Sequence, residues 1–336
     1  MTTTLRITPF RFVVTSLLAA ATLCGGGAAL ATEAHVPLAA ATTISTSGSY
    51  VLTRDITASG TPLVVSAGTV TIDLNGHTLA TTGSASVLVV NGPANLTLRN
   101  GRLYGGYRGL DLQPSAAGSR VAVSRVEFEN HSQAIDATDA GELVVEDCTI
   151  HDVSTALVAT ANTVATLVRV ARNDVRSITG VVLSAPGASM RGNVEDNILR
   201  LAEGNGVLIS GVTRALSVAR NKIAGANYGV VVSGAGGHVV ASNVISQSIV
   251  AGIRIAADNC VVFHNTVVAG AAQGIDVASA GNLIDANLVN ANLGVGLHFE
   301  ATSLSCVYRN NAVRGNGLAN YADDTFEGNT NAGGNQ

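Results

Sequence analysis

One short phrase recurs along this chain at an interval too brief for any self-contained domain. Its form is V/I-x-x-N-x-(aliphatic). It is written VARNDV, VEDNIL, VARNKI and VASNVI, then as Val262-x-x-Asn265-x-Val267, then as IDANLV. The asparagines fall at 173, 197, 221, 243, 265 and 287, spaced 24, 24, 22, 22 and 22. Degenerate copies LNGHTL, LRNGRL, VSRVEF and VEDCTI, keyed on His77, Gly101, Val126 and Cys148, extend the series upstream. VYRNNA, keyed on Asn310, extends it downstream, which makes eleven copies. A unit of 22 to 25 residues cannot bury its own apolar face, so each copy must stack on its neighbours.

A second phrase follows each key position by seven to nine residues. It reads GLDL, GVVL, GVLI, GVVV, GIRI, GIDV and GLHF, with AIDA and ALVA as weaker forms. Apolar residues bracketing a variable one are the periodicity of a strand. Each copy therefore holds about three very short strands joined by tight turns. The solution is an all-β solenoid in which each coil lies one strand spacing above the last. Eleven coils at about 4.8 Å per step make a rod of roughly 50 Å. Asparagine suits the key position because it tolerates a left-handed turn, and its amide can bond the amides above and below. A leucine-rich repeat has a similar period, but its leucine consensus and helical clause are missing.

Composition agrees with a large, tightly packed β core. The chain has 37 glycines, no tryptophan, one lysine (Lys222) and only 12% charged residues, about half the usual fraction. Basic residues are not clustered, so there is no nucleic-acid footprint. Arg6 and Arg11, the mostly apolar run from Phe12 to about Ala21, and Ala29-Leu30-Ala31 read as a cleaved export signal with the cut after Ala31. Glycines 25 to 27 interrupt the run short of a bilayer span. Loss of residues 1–31 moves the net charge from −4 to −6, and no later segment is long enough to span a membrane. A secreted or periplasmic protein is expected. Three cysteines remain, 148, 260 and 306. Cys260 and Cys306 lie two coils apart, about 10 Å, which is beyond disulfide reach, so three free core thiols are expected.

The phrases G-I-x-I and V-x-x-N-x-I resemble those of right-handed parallel β-helix proteins of the pectin lyase-like superfamily, over roughly residues 43 to 330. The resemblance implies three short parallel sheets. The asparagine then sits in the turn between the second and third, and G-I-x-I forms the first. The expected boundaries are a cap at 32–60, the helix at 61–316, and a C-terminal cap or tail at 317–336. In the superfamily's enzymes the outer face of the first sheet carries the substrate cleft. The resemblance therefore implies a polysaccharide partner and lyase, epimerase or hydrolase chemistry. The acidic calcium cluster of pectate lyases, the Asp-Asp/Gly-His-Gly set of polygalacturonases and the DPHD motif of mannuronan epimerases are all missing. No cofactor is evident, and calcium stays open.

In G-I-x-I the x residue points outward, so that column can be read coil by coil. It runs Asp111, Asp136, Val158, Val182, Leu208, Val231, Arg254, Asp276, His298, with Glu300 beside His298. Arg254, Asp276, His298 and Glu300 form the candidate catalytic group. In a lyase or epimerase His298 would be the base and Arg254 the carboxylate clamp, with Asp276 orienting His298. In a hydrolase Asp276 and Glu300 would be paired carboxylates. A surface ion-pair ladder is the bland alternative. The stacked acids Asp111 and Asp136 could share a cation or a proton.

The four-coil apolar stripe Val158, Val182, Leu208, Val231 suggests a covering partner, including self-association. Near this sheet's entry the only aromatics are Tyr107 and Tyr228. The residues before the key position, Arg125, Asp147, Arg172, Asp196 and Arg220, alternate in charge and suggest an external ladder that fixes register. His35, His131, His151, His238 and His264 fall at turns or coil exteriors, and Asp323-Asp324 is too isolated to suggest a metal. Two classes stay open: a carbohydrate-active β-helix, and a non-catalytic structural, adhesive or assembly solenoid.

Overall fold

A computed structural model describes residues 35–66, 68–211, 215–325 and 328–336. The proposed signal segment lies outside them. The fold is an all-β right-handed parallel β-helix of about 12 turns. Among the described residues the helical content is one 3-10 turn, Pro114–Ala116.

One coil shows the plan. Strand Val261–Phe263 lies in the second sheet, Thr266–Val268 in the third and Gln273–Val277 in the first. Each pairs in parallel with its counterpart one coil before and after. Pairing begins with His35–Leu38 against Gly48–Leu52 and continues to Thr330–Asn331, so it runs into both segments expected as caps. Alternation puts the apolar residues inward. Leu157, Val181, Val207, Val230, Ile253, Ile275 and Leu297 form one continuous buried column. The glycine that opens the first-sheet strand is set by coil spacing. A Cβ on Gly274 would lie 2.3 Å from Val289 Cγ1 and 2.5 Å from the Gly296 carbonyl oxygen.

The key asparagines stack as expected and are all buried. Asn221 shows the rung. Its Nδ2 donates to Asn243 Oδ1 on the next coil at 3.0 Å and to the Val194 carbonyl oxygen on the previous coil at 2.9 Å. Its own Oδ1 accepts from the backbone N–H and Nδ2 of Asn197. The run starts at the Cys148 N–H, which donates to Asn173 Oδ1, and ends at Asn335.

Two details differ from the sequence reading. The left-handed backbone belongs to the residue before each asparagine, including Arg172, Asp196, Arg220, Ser242 and His264 at φ of 55 to 58. The asparagine therefore earns its place by amide bonding. In the copy at 307–312 the register pairs Tyr308 with Ile284, so the ladder residue is Asn311 and Asn310 is the left-handed one.

The alternating-charge column also breaks into separate pairs. Arg172 grips Asp147 through two nitrogens and also reaches Glu146. Arg220 does the same with Asp196 and Glu195. Arg125 turns instead to the Asn100 amide oxygen. Arg125 and Arg172 act on Asp147 and Asp196 of the following coil through charge alone, helping to lower both carboxyls. The three cysteines are buried and unpaired. Burial pushes the Cys148 thiol up to about 12, as expected of an inert core thiol.

Candidate functional site

Backbone register places the outward column as read from sequence. Successive partners are Asp111 and Asp136, then Val158, Val182, Leu208, Val231, Arg254, Asp276 and His298. The four apolar members are half-buried on the coil exterior.

At the C-terminal end of this column the four nominated side chains meet. The Arg254 guanidinium pairs with Asp276, and its Nη1 lies 2.9 Å from Glu300 Oε1. His298 Nδ1 lies 2.8 Å from Asp276 Oδ1. The Asp276 side chain is only 6% exposed although it points away from the core, because Arg254 and His298 cover it. Burial pushes its carboxyl above the usual range, against the His298 hydrogen bond and the Arg254 charge.

A fifth member was not nominated. His298 Nε2 lies 3.1 Å from Asp324 Oδ2, and that side chain is 62% exposed. The signal that would have found it is the two-residue step that placed Glu300. Ala322 is the register partner of His298, so Asp324 stands above Glu300. The strand Ala319–Asp323 has lost the G-I-x-I spelling, which hid this coil. Burial disfavours the His298 imidazolium, but Asp324 and Asp276 outweigh it and hold the group above the ordinary imidazole range.

These contacts define what the group can do. Nδ1 is tied to a buried acceptor, so proton exchange with a ligand must pass through Nε2, and only after Asp324 moves aside. Asp276 and Glu300 both face Arg254, so the two carboxylates are ion-paired rather than poised as an acid and base.

The acid pair Asp111 and Asp136 is bridged by Arg108. Its Nε lies 2.8 Å from Asp136 Oδ2 and its Nη1 3.3 Å from Asp111 Oδ2. Ser86 Oγ and Gln113 Nε2 also donate to Asp111 at 2.8 and 2.7 Å. Asp136 still titrates high, through burial first and then through its neighbour Asp111.

Two of the histidines read as lying at turns or coil exteriors are buried. His131 is 4% exposed and His238 fully covered, with Nε2 facing the Leu103 and Ala235 carbonyl oxygens respectively. Burial pulls His131 down to about 4 and lowers His238 as well. Two grooves of about 700 and 660 Å³ follow the corner between the third and first sheets and share Gly106, Asn130 and Ser132. Arg176 and Arg200 line one, Tyr104 and Tyr107 the other. Tyr104 and Tyr107 thus lie at the corner, where Arg102 and Arg108 stack on them, while Tyr228 opens a first-sheet strand.

Among the described residues no helix is long and apolar enough to cross a membrane. No curated protein matches the chain. Similar solved structures include a point variant of the periplasmic alginate epimerase AlgG, at 13% identity over 82% of this chain and 74% of that one, with a TM-score of 0.44. Another is the A-module of the Azotobacter vinelandii mannuronan C-5 epimerase AlgE6, at 13% identity over 91% and 88%, with a TM-score of 0.39. Family models of the right-handed beta helix region match residues 63–223 and 205–335. With parallel pairing from residue 35 onward and the in-register asparagines, these matches mean that the chain belongs to the right-handed β-helix family.

Proposed function

We propose that this is an exported β-helix that processes an acidic extracellular polysaccharide at Arg254, Asp276, His298 and Glu300. The observation that carries the reading is the near-complete burial of Asp276 on an outward column, between a guanidinium and an imidazole. A buried, perturbed carboxylate that orients a histidine is an arrangement suited to general acid–base work. In this reading a uronate carboxylate pairs with Arg254, and Asp324 swings away. His298 Nε2 then takes the proton alpha to that carboxylate. In elimination the electron pair forms the C4–C5 double bond, the C4–O bond breaks, and the proton held on His298 Nε2 passes to the leaving oxygen.

The test is to incubate the mature protein, beginning at Thr32, with a panel of uronate polysaccharides, with and without Ca²⁺. Ultraviolet absorbance of unsaturated ends is followed. Wild type should be active, and His298→Ala and Arg254→Ala should each lose at least about 100-fold. An active wild type with an equally active His298→Ala variant would refute the assignment.

One observation favours a second reading. Val158, Val182, Leu208 and Val231 form an unbroken half-buried apolar column on the same face, which suits assembly better than a charged glycan. Inactivity on every uronate, with an oligomer that grows with concentration and is abolished by Leu208→Asp, would support that reading instead.

A further inference from the structure

We propose that Glu127, Glu129 and His151 form a binding site for a borderline divalent transition-metal ion of the Zn²⁺ class on the outer face of the third sheet. The backbone builds the constellation. Glu127 and Glu129 alternate outward from one strand, Arg120–Glu129, and His151 is the parallel register partner of Glu129 on the next coil. One donor atom from each lies within 4.8 Å of the other two. His151 Nε2 is 2.8 Å from Glu127 Oε1 and 3.9 Å from Glu129 Oε2. Ligands at about 2.0 to 2.2 Å from a tetrahedral ion stand roughly 3 to 4 Å apart, so small side-chain rotations suffice.

The other ring nitrogen is already committed. His151 Nδ1 lies 3.0 Å from Asp152 Oδ2. A carboxylate on Nδ1 keeps the proton there and turns the Nε2 lone pair toward an ion. One imidazole nitrogen with two carboxylates selects a borderline ion, because Ca²⁺ wants six to eight oxygens and Mg²⁺ a near-octahedral oxygen set. Three protein donors leave a fourth position for water or a ligand oxygen.

Arg102 is the competitor, since it pairs with Glu129. It has a second resting place, because its guanidinium already lies 4.8 Å over the Tyr104 ring. Binding an ion would exchange one cation for another at Glu129 and leave Arg102 on the aromatic face. The remaining cation nearby is Arg176, the register partner of His151 on the following coil. The strand bearing His151 and the third-sheet strand just before Arg254 are four coil steps apart, about 20 Å along the axis, so this site stands independently of the proposed catalytic group. Asp152 and Tyr104 line the two corner grooves.

The experiment titrates tag-free, chelator-stripped mature protein with ZnCl₂ against a chromophoric chelator at neutral pH. One equivalent should bind. His151→Ala and Glu127→Gln should each weaken binding at least about tenfold, while Arg102→Met should strengthen it. Far-ultraviolet circular dichroism and melting of each variant, taken beforehand, should match wild type, since all three positions are on the coil exterior. Absence of saturable binding, binding unchanged in His151→Ala, or Ca²⁺ binding as tight as Zn²⁺ would each overturn the proposal.

Discussion

Asp276 Oδ1 and His298 Nδ1 stand 2.8 Å apart on consecutive coils of a single outward column. The contact is vertical, set by the rise between coils, so no loop is needed to bring the pair together. It holds the imidazole with Nε2 toward Asp324, and it leaves Arg254 as the cation nearest the buried carboxylate.

If His298 acts as a base, the rate must follow its neutral form. Two carboxylates hold that group above the ordinary imidazole value of about 6.5, so activity on a uronate polysaccharide should rise on the alkaline side of that value. Asp324→Asn removes one of them and should move the rising limb to lower pH. A pH–rate profile of both proteins checks this, and identical profiles would exclude control by Asp324.

The same group should write itself into stability. A pKa raised in the folded state gives stabilisation that is fully present below the unfolded value and lost as pH rises through the folded one. His298→Gln should therefore be less stable than wild type at pH 6, by about 1 kcal/mol. The gap should close at alkaline pH. Urea unfolding at a series of pH values measures it.

Asn221→Ala should be among the most damaging single changes. It deprives the buried Asn197 backbone N–H and side-chain amide of their acceptor and takes a donor from Asn243. At about 1 to 3 kcal/mol for each unsatisfied buried group, a loss of about 3 kcal/mol or more is expected in chemical denaturation. Arg172→Ala is the surface control, with a far smaller loss that is sensitive to salt.

Arg108→Met should leave Asp111 and Asp136 stacked with no cation between them. A loss of about 2 to 3 kcal/mol at neutral pH is expected, because the two acids, left without a counter-charge, are largely covered. One of them should then take up a proton. The deficit against wild type should consequently shrink as pH falls, which thermal melts from pH 7 to 4 would reveal.

Much of this architecture is legible because a coil repeats its own instructions. The V-x-x-N and G-I-x-I phrases encode which residues face in, which face out and how far apart the coils lie, so the outward column could be named residue by residue. What escaped was local. The left-handed position is spelled by Arg, Asp, Ser, His and Ala alike, so no letter announces it. Asp324 was hidden because its coil had lost the spelling while keeping the register. Arg108 lies three residues before Asp111, and only side-chain reach shows that it fills the gap between two acids. His131 and His238 stand at turns yet are buried, with a ring nitrogen against a backbone carbonyl.

The asparagine ladder carries a consequence for how such a chain can change in length. Every rung donates forward and accepts from behind in the same sense, from Asn173 to Asn335. Any rung can therefore follow any other, and a whole coil inserted or deleted rejoins the series with its amides paired. A single residue added inside a coil would instead turn an asparagine out of line and strand the amides on both sides. Whole coils are thus the neutral increments of this protein, and length is the property that duplication can alter most freely.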